Sequence, residues 1–418
     1  MTPAGPGPAV VWRLLAPVAI GVATGACVAG ASALVEGWAL GGLASLPGLI
    51  PALFSPLALV LTWLVATYVT GASRPATSEL YILAYNQPDG RIPMRQLPGR
   101  LLGAATTVGF GGSQGFESAS ALIGVAWSDR LFRLAPAGES RRSLMAAGAS
   151  AGIAAVFSSP AVGALYGIEV PFRRDVDAPR LEPCVIAAVC SYLVRVWLIG
   201  ARHIVEVQGV PVVDHALLAG GLVVAIACGL GARLFARGED ALRVLARHQP
   251  GGQRALVAGV VLALLALAGH VACGAWITFG PGYVAADWVA SGPHPLWLLG
   301  VALVIRAAGN LVCVYGGGGG GVFTSLACNG LFIGQMVAEV VGRAETRVLP
   351  LLGAACFLGA GYRLPLACML FVVEASGSPA ASVLGLAAVA VALVAMGDES
   401  VSDAQIERRP VALREEQP

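Results

Sequence analysis

Residues 51–72 read PALFSPLALVLTWLVATYVTGA without one charged side chain, and further apolar runs occupy 216–232, 255–274, 293–314 and 379–396. Each is near the ~20 residues that carry a helix across a bilayer core. In lipid, backbone polar groups are satisfied only in helices or closed barrels, and these runs have helix length. They therefore constrain the fold more than any other feature. An earlier apolar stretch, 9–47, is too long for a signal peptide, lacks a convincing cleavage site and is read as a retained helix. The 418 residues are 12% charged, half of the roughly 25% that coats a soluble domain. The expected fold is an all-α polytopic membrane protein.

The basic residues are all arginine, and the net charge of +2 gives no sign of nucleic-acid binding. Arginine-rich connections lie at 91–100, 130–142, 173–180 and 232–254, and 232–249 reads as an amphipathic interfacial segment. Such connections face the cytoplasm by the positive-inside rule. The nine cysteines are scattered, without C-x-x-C spacing or a histidine cluster, and are read as packing residues. No cofactor and no metal is expected.

Two motif pairs recur at nearly one offset. FSSPAVGALYGIE (157–169) and YRLPLACMLFVVE (362–374) each place Pro three residues after an aromatic and Glu nine after the Pro. Upstream of them stand GFESASALIG (115–124) and GVFTSLACNG (321–330). Ordered pairs with matched spacing point to a duplicated unit. The expected division is 1–48 (N-terminal segment and first membrane helix), 49–205 (first repeat), 206–250 (linking helix and interfacial segment), 251–400 (second repeat) and 401–418 (short cytoplasmic tail).

Both upstream motifs follow a glycine-rich break, GFGGSQGFE (109–117) and the six glycines 316–321. Each glycine inside a helix costs about 1 kcal/mol relative to alanine, so the breaks need a reason. Transporters built from repeats place broken helices at corresponding positions around a midplane site. A helix that starts there turns free N–H groups and the positive end of its dipole toward an anion. The competing reading is close packing of small residues between helices. A dinucleotide site at GFGGSQG lacks its strand and acidic residue.

Glu117 follows the first break within an apolar segment, and an intramembrane carboxylate is functional by default. It is read as a tethered anion that protonation displaces; the bland alternative is a cap on its own helix. Its partner in the second repeat is Phe323. Glu169 and Glu374 are read as holding helix ends, Arg306 and Arg363 as partners for such carboxylates, and His270 as an interfacial histidine.

With these residues in view, the chain resembles the chloride channel (CLC) family of anion channels and proton-coupled exchangers. GFESA (115–119) is similar to that family's Gly-Arg-Glu-Gly-Pro, and GGVFTS (320–325) to its Gly-Gly-Ile-Phe-x-Pro. The segments 148–169 and 358–376 resemble the helix pairs that follow each motif. The resemblance spans roughly residues 50–406. It implies two inverted structural repeats whose broken helices meet at a midplane anion site, a homodimer, and a gating and proton-accepting role for Glu117. It also implies anion contacts around Gly115, Phe116 and Ser118 and around Val322, Phe323 and Thr324.

The chain departs from the family pattern at several points. The coordinating-serine motif has no clean match, and Thr77 and Ser78 in RPATS are the hydroxyls offered there, with GASRP (71–75) as another register. Ser402 stands where the family has a pore tyrosine, and Ala119 and Ser325 replace prolines. Val170 stands where exchangers carry an inner proton-transfer glutamate. Val170 favours a channel-like pore for chloride, in a bacterial inner membrane, gated by protonation of Glu117. A proton-coupled exchanger of chloride or fluoride is the alternative. An integral-membrane enzyme is remote, since no nucleophile–base pair or metal cluster stands at useful spacing. The expected partners are a small anion, protons, the lipid bilayer and a second copy of the chain.

Overall fold

A computed structural model describes residues 8–71, 78–200, 214–376 and 379–410. Among them the chain is helical throughout, and two isolated β-bridges are its only strand pairing. α1 (Pro8–Ser32) runs through a π-helical stretch, Ala33–Leu40, into α2 (Gly41–Ala44). α3 (Ser55–Val65) also ends in a π-helical stretch, Ala66–Thr70. The first half continues with α4 (Ser78–Asn86), α5 (Leu97–Gly109), α6 (Glu117–Phe132), α7 (Arg141–Phe157), α8 (Pro160–Glu169) and α9 (Leu181–Ile199). The second half holds α10 (His215–Ala246), α11 (Gly251–Cys273), α12 (Tyr283–Ala290), α13 (Leu296–Gly316) and α14 (Phe323–Val340). α15 (Val348–Gly361), α16 (Pro365–Ser376) and α17 (Pro379–Met396) complete it.

Six of these helical segments are long and apolar enough to cross a membrane: Val11–Ala44, Ile50–Thr70, Ala178–Ile199, His215–Ala246, Gly251–Cys273 and Leu296–Gly316. Their outward side chains are apolar, with Trp197 83% and Val271 76% exposed, as a lipid-facing surface requires. The chain is a multi-pass membrane protein. The segment 232–249, expected at the interface, is mostly the second half of α10. It is two-faced, with Phe235, Ala236 and Glu239 buried and Leu234, Val244 and Leu245 exposed.

The arginine-rich connections share one face. One surface cavity is lined jointly by Gly90, Arg142, Arg180 and Arg409, and another by Arg95 and Arg133. Arg174 pairs with Asp398 and Glu407, and Arg233 and Arg237 pair with Glu399. Residues 401–406 fold back on this face. Arg173 donates its N–H to the Ile406 carbonyl at 2.8 Å, and Gln405 Nε2 donates to the carbonyls of Val170 (2.7 Å) and Tyr362 (2.8 Å).

Two helix pairs form the interior. α6 packs on α7 through Gly124 and Gly148, and α14 on α15 through Gly330 and Gly353. A Cβ at any of these four glycines would strike the partner helix's backbone. In lipid such helix contacts rest on close backbone approach rather than on apolar burial. These four helices are short and largely buried, and α6 and α14 start inside the protein and reach its surface only at their C-terminal ends, at Arg130 and Val340.

Candidate functional site

Helices α5 and α13 both stop at a glycine-rich break, and the chain turns there through Gly111 and Gly317, each at φ 84°. That left-handed conformation suits glycine and strains any other residue. The two breaks then meet. Gly115 and Gly321 exchange N–H···O=C bonds of 2.9 Å in both directions. From this bridge α6 and α14 start at Glu117 and Phe323, with Phe116 and Val322 as N-caps. The first N–H groups of a helix have no partner within it, and both sets open at one place.

Most amides of the glycine run are already bonded within the protein. Gly318 donates to the Cys313 carbonyl (2.8 Å), Gly319 to Thr107 Oγ1 (2.9 Å) and Gly320 to Gln114 Oε1 (3.1 Å). The run supplies close approach: a Cβ on Gly319 would lie 2.6 Å from the Gly103 carbonyl carbon, and one on Gly320 2.7 Å from Gln114 Cβ. Close packing and a buried helix start therefore occur in the same segment.

The Glu117 carboxylate folds back over Gly115, on space a Cβ there would fill, and it also lies beside Gly321. Thr324 donates its hydroxyl to Glu117 Oε1, and the backbone amides of Glu117 and Thr324 also bear on the carboxylate. Glu117 is 1% exposed, and its Oε2 has no hydrogen-bond partner among the described residues. The side chain caps more than its own helix, because Thr324 belongs to α14.

An aromatic wall stands behind this seat. The Phe323 ring meets Phe157 at 4.9 Å, Tyr166 at 5.6 Å and Tyr362 at 5.4 Å between centroids. From the arginine-rich face a cavity of about 450 Å³ reaches Gln114, Gly318, Gly320, Val322, Tyr362 and Ser402. Ser402 is buried, and its Oγ has no partner among the described residues.

Of the residues expected at an anion site, Gly115, Phe116, Glu117, Ser118, Val322, Phe323 and Thr324 surround the bridge, while Ser402 lies in the cavity below it. Thr77 and the side chain of Ser78 lie outside the described residues, and Ser78 is placed only as the first residue of α4. Glu169 and Glu374 hold helix ends reciprocally. Glu169 accepts the Leu366 and Ala367 amides at 2.9 Å each, at the start of α16. Glu374 accepts the Ala161 amide at 2.8 Å and the Ser159 hydroxyl, at the start of α8.

Arg306 and Arg363 do not pair with these carboxylates. Arg306 is fully buried and donates to the carbonyls of Ile277 (3.1 Å) and Gly280 (2.7 Å), and Arg363 donates to those of Arg173 and Gly397. Carbonyls freed where the chain between α11 and α12 is irregular consume the Arg306 charge. His270 stacks on Trp276 at 4.0 Å. All nine cysteines are free, and no group of three His, Cys, Asp or Glu that could hold a metal occurs among the described residues.

Sequence reasoning missed Glu36 and Glu239. Glu36, in the π-helical stretch, lies close enough to Glu117 to act on its charge. An acidic residue within an apolar run was its available signal.

This arrangement, two buried helix starts bridged through glycine around one carboxylate, accompanies a match to the voltage gated chloride channel family over residues 57–397. The chain belongs to that family, the CLC family. One relative in it, a chloride/fluoride channel protein of Pseudomonas syringae pv. tomato (strain ATCC BAA-871 / DC3000), is 29% identical over 343 residues, covering 79% of this chain and 73% of the relative. The CLC fold is shared with two solved antiporters. A slow cyanobacterial Cl⁻/H⁺ antiporter superimposes with TM-score 0.81 at 20% identity, covering 93% of this chain and 96% of its own. A CLC-type fluoride/proton antiporter gives TM-score 0.83 at 20% identity, covering 96% and 98%.

Proposed function

We propose that the protein exchanges a small anion, chloride or fluoride, for protons across the membrane, with Glu117 as both gate and proton acceptor. One observation carries this reading. A buried carboxylate occupies the point where two helix N-termini and a threonine hydroxyl converge, and such a point suits any anion of that size. Protonation removes the charge that holds Glu117 there. The side chain then leaves, and an anion arriving through the cavity below takes its place between α6 and α14. Each exchange of occupant links one proton to the anion's movement.

The same reading includes two inverted repeats meeting near the membrane midplane, with the division between them at 206–250, and a homodimer with one pathway per subunit. The reciprocal caps by Glu169 and Glu374 and the equivalent turns at Gly111 and Gly317 support the duplication. Two of the similar solved structures are antiporters by name, which favours coupling over the passive conduction that Val170 suggested. Val170 is buried, and its carbonyl is held by Gln405, so a proton reaching Glu117 from the inner side uses another group.

The experiment is anion flux from proteoliposomes with internal pH followed simultaneously, using chloride and then fluoride. Uphill proton movement driven by either anion gradient, lost in Glu117→Gln, is the expected result. Anion flux without proton movement would return the protein to the channel reading. No flux of either anion from folded protein would refute both.

A further inference from the structure

Exchange through a buried Glu117 requires a proton to cross the protein between that carboxylate and inner water. The carboxylates lining the inner cavity are Glu79 and Glu239, whereas Glu169 and Glu374 are committed to helix ends. Glu79 is partly exposed at the start of α4. Glu239 is 3% exposed, on the inner part of α10. Its Oε1 accepts from Arg243 Nη2 at 2.6 Å, and its Oε2 has no hydrogen-bond partner among the described residues. A buried acceptor left unsatisfied in this way is costly, and a water admitted from the adjoining cavity would supply the missing partner.

The charges around it are unbalanced. Arg243 serves three carboxylates at once: Glu239, Glu79 at 2.9 Å and Asp403 at 2.7 Å. Asp240 adds a further negative charge from the same helix. Arg247, just past the end of α10, and Arg254 of α11 also line the cavity, as does Tyr362. A proton added at Glu239 relieves the excess of negative charge without breaking the bond to Arg243. The same cavity touches Gly320 and Val322, the residues on either side of Gly321 in the bridge.

We propose that Glu239 is the inner proton relay of the transporter. A proton from cavity water binds Oε2 while Oε1 stays on Arg243. It passes through cavity water, beside Tyr362, to the partnerless Oε2 of Glu117, and Glu239 returns to its ionised form. One proton has moved from inner water to Glu117, which is now neutral, and Glu239 is as it began. This inference rests on the exchange reading above.

The test compares wild type, Glu239→Gln, Glu117→Gln and Glu79→Gln in oriented proteoliposomes, with chloride and fluoride gradients as the driving probes. In Glu239→Gln, which keeps an oxygen for Arg243, proton movement should slow by about 10²-fold while anion flux persists. Anion flux should also lose its response to pH on the arginine-rich side and keep its response on the other. Glu79→Gln should retain coupling. A merely structural role would not separate the two sides. Should Glu239→Gln fail to assemble, Glu239→Asp should keep the wild-type proton-to-anion ratio at reduced rate, and an unchanged rate would overturn the proposal. Wild type that moves no protons would sink the exchange reading itself. Wild type that couples, beside a Glu239→Gln that couples equally well, would sink only the role of Glu239.

Discussion

Replacing Thr324 by valine tests the seat of Glu117 directly. Valine has nearly the same shape but cannot donate a hydrogen bond, so the Glu117 carboxylate would lose the hydroxyl of Thr324, a residue 207 positions away. A hydrogen bond to a charged group contributes about 1.5–3 kcal/mol. Thr324 donates to the ionised form, so its removal disfavours that form against the protonated one. At 1.36 kcal/mol per pH unit, the pH of half-maximal anion flux should rise by about 1–2 units. Protonation, and with it release of the side chain, then persists into less acidic solution. The assay is anion efflux from proteoliposomes across a pH series, with Thr324→Ser as the control that retains a donor. A half-activation pH that stays in place, or moves toward acid, in folded Thr324→Val would refute the placement of Thr324 on the gate.

Other consequences follow from the same geometry. Glu117→Gln should leave anion flux independent of pH and uncoupled from protons, checked by simultaneous flux and pH recording. Gly124→Ala and Gly330→Ala each place a Cβ into the facing backbone and should destabilise by about 1–3 kcal/mol. Gly30→Ala, which meets nothing within 4 Å, should be neutral, and thermal unfolding in detergent distinguishes the three. Ser402→Ala removes a hydroxyl that bonds to nothing among the described residues, so stability should hold within about 0.5 kcal/mol. Ser402→Tyr should narrow the 450 Å³ cavity and lower flux, read in the same liposome assay.

Most of the architecture was legible in the chain because the bilayer acts on contiguous residues. Lipid penalises every unsatisfied backbone group, so a run such as 255–274 has little choice but helix, and a break such as 316–321 needs a reason. Glu117 was visible for the same cause: a carboxylate in an apolar segment is too costly to be idle. The roles of Glu169 and Glu374 at helix ends followed from their place near the ends of apolar runs. The charge pattern of 232–249 showed an amphipathic segment, but not that Glu239 and Arg243 line the cavity below the bridge, because the other residues of that cavity lie elsewhere in the chain.

What sequence alone determined is thus the membrane class, the two glycine-rich breaks and the carboxylate of Glu117 beside one of them, all consequences of local chain chemistry in a solvent that forbids exposed polar backbone. Only the tertiary structure decided that Gly115 bonds to Gly321, that Thr324 reaches across to Glu117, that the glycine run's amides are held by Thr107 and Gln114, and that Arg306 is consumed by carbonyls rather than by a carboxylate. These partners lie far apart in the chain, with no periodicity to join them. They are selected by how closely helices can approach where side chains are missing, which is a property of the packed molecule.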